Sequence, residues 1–273
     1  MPLWMDLARR TPPRLRSAIM RSPLGGLAHR TMDRAVGEGL AVVDLAPPLA
    51  GHRMRLDLAY QRGMAYGDYE LAVTRTIAEI VQPGWLVADI GAQIGYMTLL
   101  MASRVGPAGR VLAFEPMPAN FAVLEENVRL NGYKTVQAER LAVADQSGAT
   151  LLHRLDDRAL SATSSIVAED DGADGIEVAT VSMDDYLAAH PGELRFAKID
   201  VEGAEDLVLA GMTQTLARCR PLLLVEVHGA PGPDSPALAR LAACGYNLAS
   251  IDGEGQSDSI TLGYRGHVLA RPA

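Results

Sequence analysis

The sequence predicts an α/β fold, a doubly wound and mostly parallel sheet. Three observations carry this expectation. Strand and helix patterns alternate regularly from Tyr69 onward, the first strand is a nearly continuous apolar run, and a glycine-bearing turn joins that strand to a helix. Continuous apolar runs mark strands covered on both faces, as parallel strands usually are.

Taken in order, Glu70 to Val81 sets Leu71, Thr74, Ile77, Ala78 and Val81 at helical spacing, and Pro83-Gly84 ends that helix. Trp85 to Ile90 is the apolar strand. Tyr96 to Val105 reads as a helix closed by Gly106-Pro107, Arg110 to Phe114 as a strand, and Pro118 to Leu130 as a helix with Asn131-Gly132 as its C-terminal cap. Thr135 to Val143 is a third strand. Between Asp145 and His190 the alternation breaks: Leu151-Leu152 and Ile176 to Thr180 suit short strands, whereas Ser161 to Ser165 and Glu169 to Asp171 are loop-like. An insertion near 150–180, beside the C-terminal edge of a parallel sheet, lies where such folds build substrate pockets. The alternation then resumes with a strand at Arg195 to Ile199, a helix at Ala204 to Leu216, a strand at Leu222 to Val227 and a helix at Ala237 to Cys244. Two last strands, near 246–251 and 264–270, have no clear helix between them and predict an antiparallel C-terminal edge hairpin.

The chain has 273 residues, 48% of them hydrophobic and 21% charged, enough to bury one sizeable core plus an accessory element. Its formal charge of −8, without a lysine-rich block, argues against a general nucleic-acid binder and toward small-molecule chemistry. Cys219 and Cys244 stand in no metal-ligand spacing and read as reduced thiols of a cytoplasmic protein. No stretch reaches the ~18 apolar residues that a membrane span needs, and the run Pro221 to Val225 stops at Glu226. Residues 1–34 differ from the rest: seven arginines against Asp6 and Asp33 give a net +5 and leave −13 elsewhere. This segment reads as a transit peptide, an anion-facing arm or a packed helix; a packed or partly disordered arm is preferred, since no apolar signal region or cleavage site follows. Residues 1–69 are accordingly assigned to a partly helical accessory arm that covers the acceptor pocket, and 70–273 to the main domain.

The sharpest motif is Asp89-Ile90-Gly91-Ala92-Gln93-Ile94-Gly95, at the end of one strand and the start of a helix. Glycines there let a ligand approach the backbone, and the helix N-terminus offers free N–H groups. In the dinucleotide fingerprint G-x-G-x-x-G, Gln93 and Tyr96 occupy the second and third glycine positions, so pyrophosphate recognition is broken. Twenty-four residues after Gly91, Glu115 closes the second strand, where a carboxylate accepts ribose hydroxyl protons. An acid there without a pyrophosphate cradle suits S-adenosylmethionine, with Asp89 near its ammonium. A nicotinamide oxidoreductase and a catalytically silent binding module remain open alternatives.

Lys198-Ile199-Asp200-Val201-Glu202-Gly203 is the second motif, and the two-residue period of a strand puts Lys198, Asp200 and Glu202 on one side. A lysine in a central strand needs a carboxylate partner. Asp200 and His228, each closing a strand, are the candidate bases for removing an acceptor proton. Alternatively Asp200, Glu226 and His228 hold a divalent cation that binds a vicinal diol.

Tyr69-Glu70, Pro83-Gly84, Asp89 to Tyr96, Phe114-Glu115-Pro116, Asn127 to Gly132 and Lys198 to Glu205 together resemble the FkbM-type methyltransferases, over about residues 66–229. The resemblance implies a class I, Rossmann-like methyltransferase fold, S-adenosylmethionine as cofactor, and O-methylation of hydroxyls on sugars, glycans or polyketides. Gln93 stands where the family usually has asparagine, and its longer amide makes similar hydrogen bonds. On this reading the cofactor meets Asp89, Gly91, Gln93, Gly95, Tyr96, Glu115, Pro116, Ala142, Asp145 and Asp200. Asp200, His228 and Lys198 are catalytic, and Glu202, Glu226 and His228 face the substrate. The expected partner is a small hydroxylated metabolite of natural-product biosynthesis, with a glycan or polysaccharide as the alternative. The acids of the insertion, Asp156, Asp157, Glu169, Asp170, Asp171 and Asp174, favour an aminosugar if they line the cleft. A homo-oligomer is compatible with the sequence.

Overall fold

A computed structural model describes residues 39–154, 164–166, 175–228, 235–252 and 264–273. The basic segment 1–34 and the insertion acids Asp156, Asp157, Glu169, Asp170, Asp171 and Asp174 lie outside the described residues. Two units divide the chain, Met1–Leu71 and Ala72–Ala273.

In the first unit, strands β1 (Leu40–Asp44) and β2 (Arg53–Asp57) form an antiparallel hairpin, followed by the short helix α1 (Arg62–Tyr66). Val43, Leu45, Leu49, Met54, Leu56, Leu58 and Met64 are buried. The sequence reading named no strand in this stretch, which it describes as a partly helical arm. The hairpin's short strands offer only a few alternating positions, too few for periodicity to register.

Helix α2 (Leu71–Ile80) leads into the second unit, where β3 (Leu86–Ile90) is followed by α3 (Tyr96–Val105), β4 (Arg110–Phe114), α4 (Pro118–Leu130) and β5 (Val136–Glu139). After an intervening second sheet come β10 (Leu194–Ile199), α6 (Glu205–Ala210), α7 (Thr213–Arg218), β11 (Leu222–Val227), α8 (Pro236–Ala243), β12 (Tyr246–Ser250) and β13 (Gly266–Pro272). Seven strands pair in the order β12-β13-β11-β10-β3-β4-β5. The last five are mutually parallel, and β13 runs antiparallel to both β11 and β12, the edge hairpin that the sequence predicts. Every residue of β3 is buried, which is why its sequence is an uninterrupted apolar run apart from Asp89.

Chain order reverses between β3 and β10. From β3 the chain moves outward through β4 to β5, and from β10 it moves the other way through β11. The C-terminal ends of strands at such a reversal are where sheets of this kind bind ligands.

Three elements depart from expectation. The predicted strand Thr135 to Val143 divides into β5 and β6 (Ala142–Val143), and β6 joins a second sheet with β7 (Gly148–Arg154), β8 (Ser164–Ser165) and β9 (Gly175–Val181) in the order β6-β9-β7-β8. Ala142 there packs with Met117, Leu152 and Val178 in an apolar cluster separate from the central one. The predicted helix Ala204 to Leu216 breaks at Gly211, where a Cβ would stand 2.1 Å from the carbonyl oxygen of Ala144. Its second half, α7, is capped by Asp184, whose carboxylate accepts from the Gln214 and Thr215 amides, both at 2.8 Å. Helix α5 (Met183–Ala189) was missed, although Ser182 before Asp184 and Asp185 is a helix-start signal; the Ser182 hydroxyl accepts from the Asp185 amide at 3.0 Å.

Asn127 on α4 is fully buried and donates its amide to the Ile94 carbonyl at 2.8 Å, fixing the turn after β3 from below. Asn127→Ala leaves that carbonyl without this donor, and a loss of about 1–3 kcal/mol is expected in urea unfolding.

Candidate functional site

The turn from β3 to α3 is built around glycine conformations. Gly91 and Gly95 have φ of +82° and +93°, and Gln93 between them also takes a positive φ of +51°. A Cβ on Gly91 would lie 1.8 Å from the carbonyl oxygen of Asp200, so only glycine lets the ends of β3 and β10 meet there. The amides of Gly91 and Ala92 both donate to the Phe114 carbonyl, tying the turn to the end of β4.

Two side-chain groups form on either side of this contact. On the β4 side, Glu115 is 5% exposed and accepts hydrogen bonds from the Gln93 amide to Oε2 at 2.9 Å, from the Met117 amide to Oε1 at 2.9 Å, and from Asn120 Nδ2 at 3.3 Å. Burial pushes its carboxyl up to about 7, against the lowering effect of these donors. An ionised acid this dry gains from further hydroxyl donors, and its Oε2 carries one hydrogen bond from the chain, which fits the paired hydroxyls of a ribose. Asp89, fully buried at the end of β3, accepts from the Thr98 hydroxyl at 2.5 Å. Tyr96 is buried in the first turn of α3, and Pro116 follows Glu115. These residues fit an adenosine-bearing cofactor. Ala142 and Asp145 lie in β6 and in the exposed turn after it, within the second sheet.

On the β10 side, Lys198 Nζ donates to Asp200 Oδ2 at 2.8 Å, and its side chain is 6% exposed, so the buried lysine has the carboxylate partner that the sequence requires. Glu202 holds a φ of +53°, unusual for a side chain of its size, and the following Gly203 takes +101°. His228, just past β11, stands among three carboxylates. Its Nδ1 lies 2.9 Å from Glu205 Oε1, and its Nε2 lies 3.4 Å from Glu226 Oε1 and 3.5 Å from Glu202 Oε2. Glu226 in turn meets His267 Nε2 at 3.2 Å, directly across the β11–β13 ladder, and His267 Nδ1 reaches Asp252 Oδ1 at 2.8 Å.

These contacts set the charges. Glu205 and then Glu226 push the His228 imidazole up to about 11, overcoming the opposing effect of burial. Burial opposes charge on His267, yet Glu226 and Asp252 raise it to about 9. Burial pushes Glu202 up to about 7, the pull of His228 being offset by neighbouring carboxylates. For Glu226 burial is outweighed by the two histidines, which hold it well below the usual range.

The structure thus gathers Lys198, Asp200, Glu202, Glu226 and His228 into one cluster and Asp89, Gly91, Gln93 and Glu115 around one turn. Sequence reasoning missed Thr98, Asn120, Glu205, Asp252 and His267. Asn120 was within reach as an amide in the first turn after Phe114-Glu115-Pro116. His267 was not, because only the strand register places it opposite Glu226.

Comparison with known proteins adds three findings. A family profile described as "Methyltransferase FkbM domain" matches residues 89–248. The 31-O-demethyl-FK506 methyltransferase FkbM of Streptomyces tacrolimicus is 29% identical across 70% of this chain and 81% of its own length, and the hexuronic acid methyltransferase AglP of Haloferax volcanii is 29% identical across 60% and 64%. A crystal structure of a methyltransferase FkbM from Methylobacillus flagellatus aligns with a TM-score of 0.44 at 13% identity, covering 77% of this chain and 52% of that one.

With its folded pKa raised from 6.5 to about 11, His228 contributes stability that is full below pH 6.5 and is lost as pH rises through 11. Its ring resonances in an NMR titration of the metal-free protein are therefore expected to stay at their protonated positions from neutral pH to pH 9 and above; a midpoint near the ordinary histidine value would contradict this.

Proposed function

The chain belongs to the FkbM methyltransferase family, and from that premise we propose that it moves a methyl group from S-adenosylmethionine to a hydroxyl oxygen of a small metabolite, a sugar or aminosugar unit or a polyketide of natural-product biosynthesis. The observation that carries the reading is the pairing, across the β3–β10 reversal, of a glycine turn latched to Glu115 with a carboxylate-rich cluster at the neighbouring strand ends. The name of the Streptomyces relative, which specifies a 31-O-demethyl substrate, supports oxygen as the acceptor atom, and that of the Haloferax relative supports a sugar.

When bound, S-adenosylmethionine supplies a methyl carbon already activated by the sulfonium. What remains for the chain is alignment and removal of a proton. Glu115 receives the ribose hydroxyls, and the Gln93 amide holds its carboxylate in place. Asp89, fixed by Thr98, offers negative charge toward an ammonium. His228, carrying its own proton, is a poor base, so the accepting role passes to the carboxylates. Glu202 suits it best, since a carboxyl near 7 is half ionised at neutral pH and is a stronger base than an ordinary glutamate. Lys198 holds Asp200 beside it and keeps that carboxylate oriented.

Calorimetric titration with S-adenosylmethionine, S-adenosylhomocysteine and NADH tests the cofactor assignment. Saturable binding of the two sulfur nucleotides is expected, weakened at least tenfold, about 1.4 kcal/mol, in Glu115→Ala; no binding, or preference for NADH, would defeat the reading. At saturating cofactor, turnover of an acceptor is expected to rise with pH through about 7 as Glu202 ionises. Glu202→Gln should remove that inflection and lower kcat roughly 100-fold or more while leaving cofactor affinity intact.

A further inference from the structure

We propose that Asn120 is a positioning residue for cofactor binding: its carboxamide holds the Glu115 carboxylate turned so that Oε2 is presented to the ribose hydroxyls, and it sets the pH below which that contact weakens. The inference rests on the methyltransferase reading above and adds a proton-linked control of the same site.

Asn120 stands in the first turn of α4, two residues after Pro118, and is 2% exposed. Asparagine is a poorer helix former than alanine, and its favoured place at a helix start is the N-cap, where its oxygen accepts from the backbone. Here the N-cap is Met117, which makes no side-chain capping bond. Asn120 Nδ2 instead donates backward, out of the helix, to Glu115 Oε1 at 3.3 Å. The Met117 amide donates to the same oxygen at 2.9 Å. An ionised carboxylate accepts at about four positions, and these two bonds fill the pair on Oε1. The Gln93 amide takes one position on Oε2 at 2.9 Å, so the remaining capacity of the acid is concentrated on Oε2.

Ribose hydroxyls donate, so they bind the ionised carboxylate better than the protonated one. Burial pushes the Glu115 carboxyl up to about 7; the Met117, Gln93 and Asn120 donors pull against it, and the charge of Asp89 in β3 pushes with it. The first turn of α4 carries no acid. Glu139, at the end of β5, accepts from the Glu115 amide through its carbonyl, while its carboxylate is engaged by Gln137 and Tyr186, both at 2.9 Å. Two of the three donors to Glu115 are backbone amides, and Asn120 is the one that a substitution can remove without altering the chain's path. With a folded value near 7, Glu115 takes up a proton as pH falls through that point, and the hold on the ribose weakens. Loss of the Asn120 donor moves the midpoint upward, so that the weakening begins at a higher pH.

The test is calorimetric titration of the full chain with S-adenosylhomocysteine between about pH 6 and 8.5. Wild-type affinity is expected to rise with pH and to level off above about 7. In Asn120→Ala the rise should move to higher pH, with affinity at pH 7 lowered at least fivefold and the deficit narrowing toward pH 8.5. Glu115→Gln should show no such rise, and adding Asn120→Ala to it should cost no further affinity. A loss that is equal at every pH, or that persists in the Glu115→Gln background, is the mark of a merely structural asparagine and overturns the proposal, as does an unchanged profile. If Asn120→Ala fails to fold by circular dichroism, the wild type decides. Its Asn120 side-chain amide resonances should shift with a midpoint near 7 and again when S-adenosylhomocysteine binds, and resonances that ignore either change overturn the proposal. A wild type that binds no sulfur nucleotide removes the methyltransferase reading and this one with it, whereas binding with an unmoved Asn120→Ala profile removes the role of Asn120 alone.

Discussion

The close approach of Gly91 to the Asp200 carbonyl is the constraint on which the site depends. It brings the C-terminal ends of β3 and β10 into backbone contact at the point where chain order reverses. From that contact the glycine turn reaches toward β4, where Glu115 grips the Gln93 amide. On the other side the chain runs on through Asp200 and Glu202 to α6, whose first residue, Glu205, meets His228 beyond β11. A side chain at residue 91 would push the two strand ends apart and separate the Glu115 group from the carboxylate cluster in one displacement. Asn127, reaching Ile94 from α4, restrains the same turn from its other end.

Electrostatic cost on the β10 side is met by mutual compensation. Several carboxylates share a partly buried space, and isolated charges there would be expensive. Lys198, His228 and His267 are interleaved with them, so that nearly every acid has a cationic neighbour. The two acids near neutrality, Glu115 and Glu202, are those for which burial outweighs stabilising partners. One closes β4 and the other follows β10, so proton-sensitive groups stand at strand ends on both sides of the glycine turn.

Much of the parallel sheet was legible because its signals are local. The apolar run of β3, the proline and asparagine-glycine that bound α4, and the spacing from Gly91 to Glu115 each lie within a short window. The two-residue period likewise put Lys198 with Asp200. What escaped needs partners distant in the chain. The division of Thr135 to Val143 between two sheets depends on β9, and the break at Gly211 depends on the Ala144 carbonyl. His267 enters the cluster solely through the β11–β13 register, thirty-nine residues after His228. The proton state of His228 was equally out of reach, since the sequence gives an imidazole its ordinary range and only the three surrounding carboxylates show otherwise.

Glu202 occupies a left-handed backbone conformation that glycine adopts freely and that costs a long side chain of order 1–3 kcal/mol. A library screened only for heat resistance should therefore recover glycine at this position. Glu202 is thus a residue whose side chain is held in place at a cost to the backbone, and its replacement by glycine would exchange that carboxylate for a more stable fold.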